Sequence, residues 1–420
     1  MLFLVNSKLL SQSFTVCSSC EINNISRSIE NAISGDTIYF KKEIFYEHDI
    51  EINKPLTLIG NKTVLDVNSL GNGFIVNSDQ VSISGFIINN IKSSFTKDLA
   101  GIKGYGINFF SFKNNEFNNP FFAFLIQKSS KGIISDNIIN GNSINEISSG
   151  NGIHLWHSNN IVVQNNSIYN MRDGIYMEFV DESTINYNIC KMNKRYGLHF
   201  MFSDQNTFKQ NIFDSNEVGV AVMFSKNISI SENHFKNNWG MASYGLLLKE
   251  IYDTRIENNF FYKNTIGINT EGSSRINYNN NVFENNGWAV KISGGCYKNL
   301  FKKNDFLNNT FDVSSIDGQN DNSFEHNYWS NYIGYDLNKD EIGDIPYRPM
   351  KLFSYIVNII PESIILRRSL FIDFLNYSEN ISINNHNYTI FTDNRTKSSR
   401  IDVHNYKIGD LHRPWYFYGS

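Results

Sequence analysis

Apolar and polar positions recur along most of this chain with a single long period. An apolar-x-x-Asn-x-apolar phrase places its Asn at 115, 137, 166, 188, 211, 233, 259, 281, 304 and 327, in steps of 22, 29, 22, 23, 22, 26, 22, 23 and 23 residues. Two residues after each Asn stand Phe117, Ile139, Ile168, Cys190, Phe213, Phe235, Phe261, Phe283, Phe306 and Trp329, and Phe86 stands one 29-residue step before Asn115. A second series, of small residues opening strand-like runs, falls at Ala123, Gly152, Gly174, Gly197, Gly219, Gly245, Gly267 and Ala289. The two series share their irregular steps, so the insertions lie between whole units. A unit of 22–23 residues made of short alternating runs and polar turns predicts one rung of a right-handed, single-stranded parallel β-helix, an all-β solenoid. Its Asn slot predicts an internal ladder of stacked amides, each tolerating the left-handed turn between sheets and bonding the rungs above and below. A leucine-rich repeat has a similar period, but its leucine spacing is absent.

After each opening small residue, the first and third positions (Ile153/Leu155, Ile175/Met177, Leu198/Phe200, Val220/Val222, Leu246/Leu248, Ile268/Thr270, Val290/Ile292) read as inward. The second and fourth then face out as His154/Trp156, Tyr176/Glu178, His199/Met201, Ala221/Met223, Leu247/Lys249, Asn269/Glu271 and Lys291/Ser293. With rungs about 4.8 Å apart and alternate residues about 6.6 Å apart, this stripe gathers His, Met, Tyr, Trp and Glu over a few rungs. Thioether and imidazole together are a soft donor set suited to Cu(I). His154, Glu178, His199, Met201 and Met223 are therefore the candidate copper ligands, and Trp156 and Tyr176 candidate interface residues. The competing reading is a partner protein or loop covering the stripe, with Met and aromatics as contact area.

Composition narrows the picture. Hydrophobic residues are 41% and aromatics 14%, enough for a large core, and Pro numbers only 6. A net charge of −4 offers no basic field for duplex nucleic acid. Four Cys over 420 residues exclude a disulfide-framework fold. Cys17-Ser18-Ser19-Cys20 reads as a small disulfide or a thiol pair able to hold Cu(I); Cys190 reads as core.

The flanking segments differ from the rungs. Residues 1–16 have an apolar opening and small residues at Ser11 and Ser13, and read as the remnant of a secretory signal. The solenoid is assigned to 17–330, with Ile25–Ile33 a short helix capping its open end. Residues 331–350 form a second cap. There Asp336, Asn338, Asp340 and Asp344 stand at positions 1, 3, 5 and 9 of a loop, the spacing of a weak calcium site that lacks the Gly at 6 and the acid at 12. Residues 351–378 read as an amphipathic helix, interrupted by Arg367, Arg368 and Asp373 and so unable to span a bilayer. Residues 379–420 read as a polar, loosely ordered tail.

A carbohydrate-active β-helix (a polysaccharide lyase or epimerase) is the alternative function. It needs paired carboxylates, or a carboxylate beside a base, on one outer face. Glu178 and Glu271 fall four rungs apart in one column, too distant to act together, while Asp173 with Glu178, and Lys249 with Glu250, stay open as pairs.

The rung phrases GIHLWHSNN, RDGIYMEF, RYGLHFMFSD, GVAVMFSKN, NNWGMASYGLLLKE and NNGWAVKI, with NSFEHNYWSNYIGYDLNKDEIGDIPYRP downstream, resemble the NosD family of nitrous oxide reductase maturation proteins from about Ser18 to Leu375. The resemblance implies a periplasmic right-handed β-helix with no turnover of its own. It also implies work with an ABC transporter formed by NosF and NosY, and with the copper chaperone NosL, to build the copper-sulfur centre of nitrous oxide reductase. Contact with the membrane would then be only through the transporter. The resemblance favours copper on the stripe without saying which residues bind it.

Overall fold

The computed structural model describes residues 12–94, 96–144, 146–315, 321–381, 392–393 and 395–397. The opening segment through Ser11 and most of the tail after residue 381 lie outside the described residues.

The chain winds into a parallel β-solenoid. One wall is a sheet of 12 parallel strands, from Ile50–Ile52 to Phe311–Ser315, each pairing only with the rung before and the rung after. The other two walls are stacks of mostly three-residue strands joined through the longer strands Thr57–Asp66 and Ser82–Asn89. In these short strands the middle residue is buried and its neighbours are partly exposed, as in Thr184–Asn186 and Thr207–Lys209. The inward positions read from the sequence are all sealed: Ile153, Leu155, Ile175, Met177, Leu198, Phe200 and their successors through Val290 are 0% exposed. Aromatics fill one interior column as a continuous stack, with Phe235–Phe261 centroids at 4.6 Å and Phe306–Trp329 at 4.1 Å.

The Asn ladder is present and fully bonded. Asn188 shows the unit: its backbone N–H and its Nδ2 both donate to Asn211 Oδ1, at 2.9 and 3.0 Å, and Nδ2 also donates to Val163 O at 2.9 Å. Its own Oδ1 accepts the same pair from Asn166. Every donor and acceptor of a buried amide is thereby used, which offsets the cost of burying it. One expectation is corrected. The left-handed backbone belongs to the residue before each ladder Asn (Asn165, Tyr187, Gln210, Glu232, Asn258), not to the Asn itself. The ladder amides serve hydrogen bonding, while the turn strain falls on a neighbour with an exposed side chain. A second ladder runs in parallel through Asn193, Asn216, Asn238, Asn264, Asn286 and Asn309.

Both ends depart from the sequence reading. Ser13–Val16, placed in the signal remnant, is a strand in register with Thr37–Phe40. Helix α1, Ile25–Asn31, caps this end, its N-terminus held by Asn24 Oδ1 on the Arg27 N–H and by Glu47 on Ile25 and Ser26. At the other end the single amphipathic helix is three pieces: α2 (Leu352–Ile359), a 3₁₀ segment (Pro361–Arg368) and α3 (Leu370–Ile381). Pro361 lacks the N–H needed to continue α2, and Ser369 restarts the chain by accepting the Ile372 N–H. The tail also contributes more than a loose segment. Asp393 is fully buried and stands where the next ladder Asn would be, its Oδ2 accepting from Asn327 N, Asn327 Nδ2 and Trp329 Nε1 at 3.0, 3.0 and 3.2 Å.

Candidate functional site

The outer face of the 12-stranded sheet carries the stripe in the register read from the sequence. One column runs Leu125, His154, Tyr176, His199, Ala221, Leu247, Asn269, Lys291, and its neighbour runs Gln127, Trp156, Glu178, Met201, Met223, Lys249, Glu271, Ser293. The longest insertions enter at one turn, ahead of this sheet, in segments 90–99, 141–152 and 237–243 between strand ends. They therefore border one edge of the stripe.

His199, Met201 and Met223 come together: His199 and Met201 alternate on one strand, and Met223 is the direct partner of Met201 on the next. Glu178 pairs with Met201 from the other side, and accepts a hydrogen bond from Tyr176 Oη at 3.2 Å. His154 is set apart, with the Tyr176 ring interposed at 4.6 Å from His154 and 5.0 Å from His199.

His199 is the anomalous group. It is 7% exposed, lies 4.5 Å from the Tyr196 ring, and neither ring nitrogen has a hydrogen-bond partner. Burial pushes its pKa down to about 4, against the opposing pull of Asp173, so it is neutral near pH 7. Burial, reinforced by Arg172, does the same to His154, whose Nδ1 lies 3.2 Å from Asn151 Nδ2. A buried imidazole with two unused nitrogens costs stability and is a recognised mark of a ligand or catalytic role. Tyr176 is pushed up to about 12 by burial and by Glu178, and stays protonated.

Sequence reading set Asp173 among the acids near the stripe and missed its partner, Arg195. Asp173 is fully buried and gripped by Arg195, with Nε 2.9 Å from Oδ1 and Nη2 on Oδ2. Arg195 also lies over the Tyr196 ring, and Arg172 Nε donates to Asn151 Oδ1 at 3.1 Å. The phase of the strand changes at the opening glycine. A Cβ on Gly174 would meet Cys190 Sγ and Asn193 Nδ2 at 3.1 Å, so Gly174 and Ile175 both face the interior, and Asp173 before them packs with Arg195 at the outer surface. Strict alternation puts Asp173 inside.

The remaining candidates are dispersed. Cys17 and Cys20 form a disulfide at the α1 end, and Cys190 and Cys296 are buried thiols. Glu178 and Glu271 are four rungs apart, as the spacing required. In the 336–344 loop the acids close the turn on itself: Asp336 accepts from Asp340 N and Glu341 N, Asp340 from Ile342 N, and Asp344 from Leu337 N. Among the described residues no group of three or more His, Cys, Asp or Glu could hold a metal. The loop thus lends calcium no support.

A neutral imidazole beside two stacked thioethers fits a monovalent copper ion: it supplies soft, uncharged donors and no hard oxygen cage. Entry of metal requires side-chain rotation, because both His199 nitrogens are covered.

No curated protein matches the chain. Among solved structures it is similar to the A-module of mannuronan C-5 epimerase AlgE6 of Azotobacter vinelandii, at 15% identity and a TM-score of 0.51 over 73% of this chain and 90% of that one. It is also similar to the pre-mature gene product 12 of bacteriophage phi29, at 13% identity and 0.59 over 73% and 50%. A third is the periplasmic alginate epimerase AlgG, at 12% identity and 0.50 over 70% and 77%. At these identities they share the fold alone. No helix among the described residues is long and apolar enough to cross a membrane. Residues 144–334, the stretch that carries the stripe, match the family model described as periplasmic copper-binding protein (NosD).

Proposed function

We propose that this chain is a periplasmic accessory protein that binds Cu(I) on the outer face of its solenoid and passes it on, without turnover of its own. The family's description supports copper and the periplasm. The observation that carries the site is His199, a neutral imidazole with no hydrogen-bond partner beside the Met201–Met223 pair. The thioethers hold a soft ion, and His199 completes the set without adding charge. Glu178, tied to Tyr176, borders the metal rather than binding it first. In this reading the cargo moves between a NosL-type chaperone, a NosF/NosY-type ABC transporter and nitrous oxide reductase, whose copper-sulfur centre is the destination. Trp156 and Tyr176 are the contact area for these partners.

The test is an anaerobic Cu(I) titration against a competing chelator, comparing wild type with the His199→Ala/Met201→Ala/Met223→Ala variant. Tight binding in the wild type and its loss in the variant support the site. Equal binding in both places copper elsewhere, and no binding in either refutes a copper-carrying role.

A further inference from the structure

The half of the sheet face on the amino-terminal side of the methionines has a different chemistry. Over the five strands from Ala100–Tyr105 to Tyr196–Met201, about 19 Å at a rung spacing of about 4.8 Å, the outer columns carry cations and aromatic rings. Lys128 Nζ bonds Tyr105 Oη at 2.8 Å and lies over the Tyr105 and Trp156 rings at 5.1 and 5.9 Å. Among the described residues, Lys103 bonds the carbonyl of Asp98 alone. Arg172 spends its Nε on Asn151, and its nearest carboxylate contact is a 4.0 Å approach to Asp173, which Arg195 already neutralises. The carboxylates on this face are committed: Asp173 to Arg195, and Glu178 to Tyr176. Glu146, on the bordering loop, offsets part of the positive charge through its field on Arg172 and Arg195. Tyr105 is 54% exposed.

We propose that this face binds an acidic oligosaccharide of uronate type, with the sugar rings against Tyr105 and Trp156 and a carboxylate on the Arg172 guanidinium. The argument is one of complementarity. A guanidinium with its outer nitrogens unspent is the best planar match for a carboxylate. One ammonium over two aromatic rings, Lys128 over Tyr105 and Trp156, beside the part-exposed amide of Gln127 and phenol of Tyr176, suits a polyhydroxylated chain that alternates apolar ring faces with charge. An acidic peptide would use the cations and leave the rings idle. The proposal does not rest on the copper reading, because Tyr105, Lys128 and Arg172 are not among the copper candidates; it gives to sugar the Trp156 surface that the proposed function gives to partners, so the two occupants would compete there.

The experiment is calorimetric titration of the full chain with a linear hexasaccharide of galacturonic acid. Cellohexaose serves as the neutral control and hexaglutamate as the peptide control. Binding of the uronate hexamer alone is expected, with affinity at least ten-fold weaker in Arg172→Gln and in the exposed-site variant Lys128→Gln. Each variant is checked by thermal melting followed by circular dichroism, which should be unchanged and so reports an intact solenoid. The proposal is overturned by no binding of the uronate hexamer, by equal binding of hexaglutamate, which would make the face a peptide or general anion surface, or by undiminished affinity in both variants.

Discussion

The two ends of one sheet face meet solvent differently. Over the last rungs, Trp288 and Phe311 stack at 4.2 Å and are roofed by Phe353 and Val357 of α2 and Ile372 of α3, and Lys291 Nζ reaches Asn358 Oδ1 at 3.1 Å. Over the middle rungs, the same columns present Tyr196, His199, Met201 and Met223 with no described helix above them. The strands beneath are alike in length, register and internal ladder. The chain therefore separates two tasks: the interior fixes the scaffold, and outward positions are left free to be closed off by packing or kept open for ligand.

The strongest way to break that separation is to cut the interior. Asn233→Ala removes the amide that accepts from Asn211 N and Nδ2 and donates to Phe208 O and Asn259 Oδ1. Several buried partners lose their bonds at once, so a loss of about 4 kcal/mol is expected in chemical denaturation. A loss below about 1 kcal/mol would mean the ladder constrains the fold no more than the surface does.

Phe353→Ala attacks the roofed end alone. A cost of about 3 kcal/mol is expected, confined to the docking of α2 and α3 and read as faster amide exchange in residues 352–381 while the ladder strands stay protected. Global unfolding in its place would join the two regions into one cooperative unit.

The two ends should also respond to acid with opposite sign. His154 and His199 have native pKa values near 4 against an ordinary 6.5. Below pH 6.5 the unfolded chain takes up protons that the native state refuses, so stability falls from pH 6.5 toward pH 4. Asp312, buried beneath the roofed end with Asn309, Asn331 and Tyr347 as partners, is pushed up to about 7 from 3.8. It binds a proton more readily when folded, so its contribution is complete below pH 3.8 and is lost as pH rises to 7. Thermal melts of His154→Phe/His199→Phe should lose the acid-side decline, and those of Asp312→Asn the decline between 4 and 7. Unaltered pH profiles would refute the burial that underlies both.

The smallest effect expected on the fold is His199→Phe at pH 7, within about 1 kcal/mol of wild type because no hydrogen bond is lost. Its Cu(I) affinity should nonetheless collapse. A stability loss comparable to that of Asn233→Ala would make His199 a structural residue.

The rungs, their insertions and the outward columns were legible because a 22-residue period repeats the same physical demand many times. What repeats once was harder to read. Asp393 replaces a ladder Asn from 66 residues downstream of Asn327, and no periodicity points across such a gap. The second Asn ladder was overlooked because its members sit beside turns rich in Asn. The pairing of Asp173 with Arg195 was hidden by the change of phase at the opening glycine. Of the copper candidates, His199, Met201 and Met223 converge, whereas Tyr176 holds His154 apart from them, which column order alone could not weigh.

Asp393 has a further consequence for how the molecule behaves in company. A solenoid's last rung presents the same row of donors that its interior rungs use to recruit a neighbour, and an unpaired row of this kind is a template for the end of another copy. With its carboxylate on Asn327 N, Asn327 Nδ2 and Trp329 Nε1, Asp393 occupies that docking edge with a side chain that accepts bonds and has no donor to offer onward. The ladder is terminated chemically at this rung, by an acceptor where an amide would have carried it onward.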